Sequence, residues 1–448
     1  MIVFPFSPKE PKTTSESGPN SKKPKNKKPE RERNQGSDEE EEEDDQGPTW
    51  TSLLRPLLPI IPFLIPLFHL PTLLLPSSTL SSTTNKIITS SRSLTGQIVV
   101  GEHLYGSDPD GTGQIPRFRY LRCDHSLLGG SWLVPKRNDK NGNDSEEGAV
   151  SWELGEPIYG TFVLQEVARL VERSSSLSAD GEEERRETAL VIGLGIGTSP
   201  STFSQQFNIK LTVLEIDPLV VAAAKKYFGF DEGPGGEILV QDAVEYLKKE
   251  GGRIRNVQKG ELEHDGKFDY ILHDVFTGGS VPSSLFTFER WQDVRSLLKP
   301  QGVVAVNFAG HLRSKASRAV LTTLYKAFDE SCRAFDDGSV EGGEEFRNMV
   351  IICIKPSPEP TSKPHPPSSS VTFRPATSKE LFSPTRRRIL PDFEKHEFDL
   401  RPFVGDGGLS LLLREGDESK LDGWQREGVL GHWRVMNKVL GWGSWLEF

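Results

Sequence analysis

Residues 188–217, TALVIGLGIGTSPSTFSQQFNIKLTVLEID, constrain the fold more than any other stretch. The run TALVIG has the length and apolar composition of a parallel strand buried on both faces. It breaks at Gly193, Gly195 and Gly197, and a run of helical composition follows. A second apolar run, KLTVLEID, ends in the acids Glu215 and Asp217. Strand, glycine turn, helix and acid-tipped strand form one βαβ unit. There the glycines let the backbone approach a ligand closely, and the acid can accept both hydroxyls of a ribose. The G-x-G-x-G spacing alone is common and fits a tight turn with no ligand. The strand–turn–helix context together with Glu215 points to a nucleoside site at the carboxyl ends of the strands. No Walker lysine follows the glycines, which makes triphosphate hydrolysis on a P-loop a poor reading.

From residue 188 the pattern keeps alternating. Strands are predicted at 188–193, 210–216, 237–241, 268–273 and 302–308, with helices at 198–207, 218–228, 243–249, 285–298 and 314–329. Residues 331–337 and 346–355 read as a final strand pair, and 253–266 and 338–345 as polar surface loops. Such alternation implies right-handed crossovers and a parallel sheet with helices on both faces. Upstream, 96–104, 117–124 and 129–134 read as short strands, and 156–171 as a helix with apolar residues at helical spacing. These form a β-rich cap over 93–173, ahead of a main domain at 188–355.

The flanks differ. Apolar residues make up 35% of the chain, below the roughly 45–50% of globular domains, a count that includes Gly. The deficit lies before the cap, in a few loops and after residue 355. Residues 1–52 carry a basic run (KKPKNKKPERER) and then an acidic one (DEEEEEDD) and read as a disordered tail. Residues 53–76 are apolar, and 57–75 are long enough to span a bilayer without a formal charge. Pro59, Pro62, Pro66 and Pro71 each remove a helix hydrogen bond there, so a membrane anchor and a disordered linker both stay open. Residues 77–92 read as linker. Residues 356–448 open with a Pro/Ser linker and end in a tail that docks on the domain, dense in Trp424, Trp433, Trp442 and Trp445. A net charge of −10 gives no support to a nucleic-acid surface. Cys123, Cys332 and Cys353 form neither a metal cluster nor a disulfide framework by spacing, which predicts a reducing compartment such as the cytoplasm, with a membrane tether if 57–75 inserts.

Three further residues carry chemistry. Asp242 opens the helix after the third strand, where it can cap the helix, accept from an adenine amino group, or both. Asp274 ends the fourth strand, where a carboxylate can orient or deprotonate a nucleophile; a loop-stabilising acid is the other reading. His273 should point to the opposite face by strand alternation. Tyr159 starts the cap helix and either reaches the cleft or packs as a core aromatic.

The segments VIGLGIGTSP, VLEIDP, VQDAVEYL and FDYILHD, with GQIVVGE, RYLRCDHSLLGG and EPIYGTFVLQE ahead of them, resemble the spermidine synthase-like (polyamine aminopropyltransferase-like) family within the class I S-adenosylmethionine-dependent methyltransferase superfamily. The resemblance covers residues 96–354. It implies an α/β fold: a Rossmann-like class I methyltransferase sheet, mostly parallel and doubly wound, behind a small β-rich cap. It implies S-adenosylmethionine or decarboxylated S-adenosylmethionine held by Gly193, Gly195, Gly197, Glu215 and Asp242, with Asp274 and Tyr159 near the attacking amine. Three places depart from the family pattern. Ile196 stands where an acid lies inside the glycine turn, Thr277 where a second acid follows Asp274, and Gly160–Thr161 where a polar pair follows the tyrosine. Each lost acid removes a charge-assisted hydrogen bond to a cationic substrate, roughly 1.5–3 kcal/mol. EIDP, YFGF and SLLKP also resemble segments of protein methyltransferases. The leading expectation is a spermidine-synthase-like transferase that alkylates an amine, in polyamine metabolism. A methyltransferase acting on a protein amino group or a small-molecule amine is the first alternative, a non-catalytic binding module the second, and self-association stays open.

Overall fold

The computed structural model describes residues 84–106, 115–136, 151–173, 186–258, 266–276, 278–336, 346–356, 371–404 and 409–445. The charged tail, the apolar stretch 53–76 and Thr277 lie outside the described residues. Among those described, no helix is long and apolar enough to cross a membrane.

The cap is a five-stranded antiparallel meander of β1 (Asn85–Arg92), β2 (Gln97–Leu104), β3 (Arg117–Cys123), β4 (Ser126–Pro135) and β5 (Trp152–Pro157). Two of these strands correct the sequence reading. Residues 85–92, read as linker, form β1 and pair along β2. Residues 152–157 pair with β4 as a fifth strand. The single helix expected over 156–171 is therefore a strand end, then α1 (Thr161–Gln165), then a 3-10 turn, Glu166–Leu170. Sheet pairing claims the start of that segment, where Pro157 cannot donate a helical hydrogen bond.

The main sheet is built from β6 (Thr188–Ile192), α2 (Thr198–Ser201), β7 (Lys210–Glu215), α3 (Pro218–Phe228), β8 (Glu237–Val240), α4 (Ala243–Tyr246), α5 (Gly252–Gln258), β9 (Phe268–His273), α6 (Phe288–Leu297), β10 (Leu298–His311), α7 (Lys315–Ala327), β11 (Cys332–Asp336) and β12 (Phe346–Ile354). The tail adds α8 (Pro384–Ile389), β13 (Glu397–Phe398), α9 (Glu418–Trp424) and α10 (Arg426–Trp445). Strand order is β13-β11-β12-β10-β9-β6-β7-β8, parallel from β10 to β8 and antiparallel from β10 to β13. Leu190 and Ile192 face one buried core and Ala189 and Val191 the other, which is why β6 is apolar throughout. Residues 253–258, read as surface loop, are helical within α5, and Ile254 is buried in the first core.

Two features mark the ends of the sheet, and the first corrects the sequence reading. Cys332 and Cys353 sit directly opposite on β11 and β12 and are joined by a disulfide; a spacing of twenty-one residues hides a cross-strand contact. The tail is integral to the fold. β13 extends the sheet edge beside β11, and Arg386 in α8 is 5% exposed. It donates to both oxygens of buried Glu166, at 2.9 and 2.6 Å, and to Thr202. α10 inserts Met436, Val439, Leu440 and Trp445 into the cap core beside Phe118 and Trp132.

Candidate active site at the sheet switch point

The chain leaves β6 toward β7 on one side and returns as β9 on the other. The loops after β6 and β9 thus diverge at the carboxyl edge and open a crevice, the place where ligands bind in sheets of this kind. A cleft of about 970 Å³ lies there, between the sheet edge, the β3–β4 hairpin and α10.

Its floor is the glycine turn. Gly193, Gly195 and Gly197 all adopt positive φ, at 83°, 54° and 77°. Protein neighbours demand each of them. A Cβ would lie 2.1 Å from the Asp274 carbonyl at Gly193, 2.8 Å from the Leu128 carbonyl at Gly195 and 2.6 Å from the Phe230 ring at Gly197. Gly193 and Gly195 line the cleft, whereas Gly197 packs behind it.

Glu215 ends β7 and lines the cleft at 8% exposure. One of its oxygens accepts from the Leu194 amide at 2.9 Å, the other from the Asp217 amide at 3.0 Å. Each keeps a lone pair for a ligand hydroxyl. Burial pushes its proton affinity up, against those backbone donors. Asp217 has a different task. It is fully buried, caps α3 through the Leu219 amide, and accepts from Ser93 at 2.5 Å and Thr95 Oγ1 at 2.6 Å, which ties the cap to the domain. Burial raises its proton affinity, but the Ser93 and Thr95 donors outweigh this and hold it low. Asp242 caps α4 through the Val244 amide at 2.8 Å and stands exposed at the rim, so both of its expected roles remain geometrically available.

Asp274 sits across the crevice, half-buried. Gln165 Nε2 donates to its Oδ2 and Asn307 Nδ2 to its Oδ1, each at 2.8 Å. Enclosure pushes its carboxyl up, and the Asn307 and Gln165 amides only partly counter this. His273 faces away, fully buried against Phe286 and Trp291, and burial lowers it to about 3. Tyr159 reaches the cleft, but its hydroxyl donates to Met436 Sδ at 3.6 Å, so it joins the roof. The roof and far wall also include His125, His432 and Trp433, with His125 edge-on to Trp433 at 5.4 Å. Burial brings His432 down to about 4, so the ring is neutral near pH 7. No lysine or arginine lines the cleft among the described residues, while Asp124, Glu215, Asp242 and Asp274 do. The site suits a cationic ligand.

Comparison with known proteins finds relatives of two kinds. The chain is 35% identical over 340 residues to an N-terminal histidine N-methyltransferase of Emericella nidulans, covering 73% of this chain and 54% of that protein. It is 34% identical over 122 residues to a polyamine aminopropyltransferase of Vibrio vulnificus, covering 27% and 37%. Over the matched residues the chain is similar both to an N-methyltransferase and to a polyamine aminopropyltransferase. A shorter match, 30% over 122 residues, joins it to an eEF1A lysine and N-terminal methyltransferase of Homo sapiens, covering 26% and 17%. The chain thus spans about half the length of the first relative and less of the others. No profile of a known family matches.

Set beside those relatives, Ile196 is informative. It is 4% exposed and packs with Ile98, Val100, Leu121, Val220 and Ala223 between cap and domain. Gln165, Asn307 and the α10 residues escape the sequence reading. Asn307 alone had a signal, a lone amide in the apolar run VVAVNF whose neighbour Val306 pairs with His273.

Proposed function

We propose that the protein is a spermidine-synthase-like transferase that alkylates an amine nitrogen, with S-adenosylmethionine as methyl donor and the amino-terminal residue of a protein as acceptor. Glu215 would take the ribose hydroxyls, Ile216 the face of the base, Asp242 its exocyclic amine, and the turn at Gly193–Gly195 the backbone between. The donor supplies a carbon made electrophilic by its sulfonium. The chain's task is to hold the amine in line behind that carbon, which alone can contribute several orders of magnitude. Asp274 accepts the proton the amine loses as the N–C bond forms and the C–S bond breaks, its electron pair staying on sulfur.

The observation that carries methyl over aminopropyl transfer is Ile196. The position that would hold an acid for a polyamine is an apolar contact sealed under the cap. The likeness to a protein named as an N-terminal methyltransferase supports the acceptor class. Acids without cations in the cleft also suit a polyamine and a decarboxylated donor, the second reading. Incubating the chain with labelled donors and a panel of amino-terminal peptides and polyamines separates the two. Methylated peptide is expected; aminopropylated polyamine would favour the second reading. Asp274→Asn should bind donor normally and lose roughly 10²–10⁴-fold in turnover.

A further inference from the structure

Asp274 receives hydrogen bonds from two neutral amides, one per oxygen and both at 2.8 Å. The donors come from separate parts of the chain, Gln165 at the end of α1 and Asn307 in β10. Gln165 is 1% exposed, so water does not compete for its amide. A guanidinium in the same place would orient the carboxylate as firmly, but its charge would strip the group of basicity. Amides fix the plane of the carboxylate and add no charge.

The geometry points to Gln165 and Asn307 as positioning residues that lock the Asp274 carboxylate toward the acceptor while leaving it basic. This deepens the function proposed above and rests on it for the role of Asp274. Each carboxylate oxygen, with one lone pair engaged, keeps another for the acceptor N–H. Gln165 is itself braced. The next residue, Glu166, is gripped by Arg386 of the tail, which pins the turn carrying the Gln165 amide.

The test uses the full chain with Gln165→Met, Asn307→Leu and the isosteric Gln165→Glu, each checked for native circular dichroism. Removing a donor destabilises the carboxylate, so the acid limb of kcat/KM should move to higher pH, most in Gln165→Glu, where a second carboxylate adjoins the first. Turnover should fall roughly tenfold or more, with donor affinity unchanged. Carboxyl-carbon NMR of labelled aspartate, with Asp274 assigned from Asp274→Asn, reads the same displacement without any substrate. An Asp274 resonance that titrates at the same pH in the wild type and all three variants overturns the inference. A displaced resonance in a protein that alkylates no acceptor leaves the clamp standing and removes the function instead.

Discussion

The half of the cleft proposed for the nucleoside comes from one βαβ unit, residues 188–217, with Asp242 one strand later. The half proposed for the acceptor draws on the cap at His125 and Tyr159, α1 at Gln165, the end of β9 at Asp274, β10 at Asn307, and α10 at Trp433 and Met436. The first half is anchored by backbone amides a few residues away, such as Leu194 and Asp217 on Glu215. The second depends on side chains brought together over more than a hundred residues. A site divided in this way can keep its donor half while its acceptor half is rebuilt by changes in distant segments.

Perturbations should respect that division. The largest expected effect is Arg386→Met, which leaves Glu166 buried without its partner and should cost about 3–5 kcal/mol in denaturant unfolding. A loss confined to that size, with turnover impaired before donor binding, places the brace in the acceptor half. His273 lies behind the cleft, buried against Phe286 and Trp291. Its folded-state value of about 3 against 6.5 means that the unfolded chain binds more protons between those limits. Stability therefore rises with pH across that window and is lost as pH falls through it, on the order of 5 kcal/mol at most. His273→Leu should flatten that acid limb in thermal melts at fixed ionic strength. Glu215→Ala should weaken donor binding roughly 10- to 100-fold, from a charged-group bond of about 1.5–3 kcal/mol, with acceptor KM unmoved. Trp433→Ala should do the opposite, raising acceptor KM roughly tenfold while donor binding holds. If both variants changed both constants alike, the cleft would be one unit rather than two halves.

The same division explains what the sequence could disclose. Alternating strands and helices, the glycine turn and the acid at Glu215 are local patterns, and each stands where the pattern put it. The glycines also serve a second purpose, since Asp274, Leu128 and Phe230 crowd them from within the protein. Local patterns carry no record of contacts between distant segments. The Cys332–Cys353 bond, the strap at Arg386, the amides on Asp274 and the roof from α10 all need the tertiary fold. Tyr159 was recognisable as a cleft residue, but its partner Met436 lies 277 residues away. β1 and β5 were lost for a related reason, because their short polar-rich runs become strands only beside β2 and β4.

The central claim is that the cleft binds intact S-adenosylmethionine through the βαβ unit, and calorimetric titration tests it most directly. The protein should bind S-adenosylmethionine more tightly than its decarboxylated form, with Glu215→Ala weakening both. Preference for the decarboxylated donor, or binding that Glu215→Ala leaves unchanged, would contradict the account.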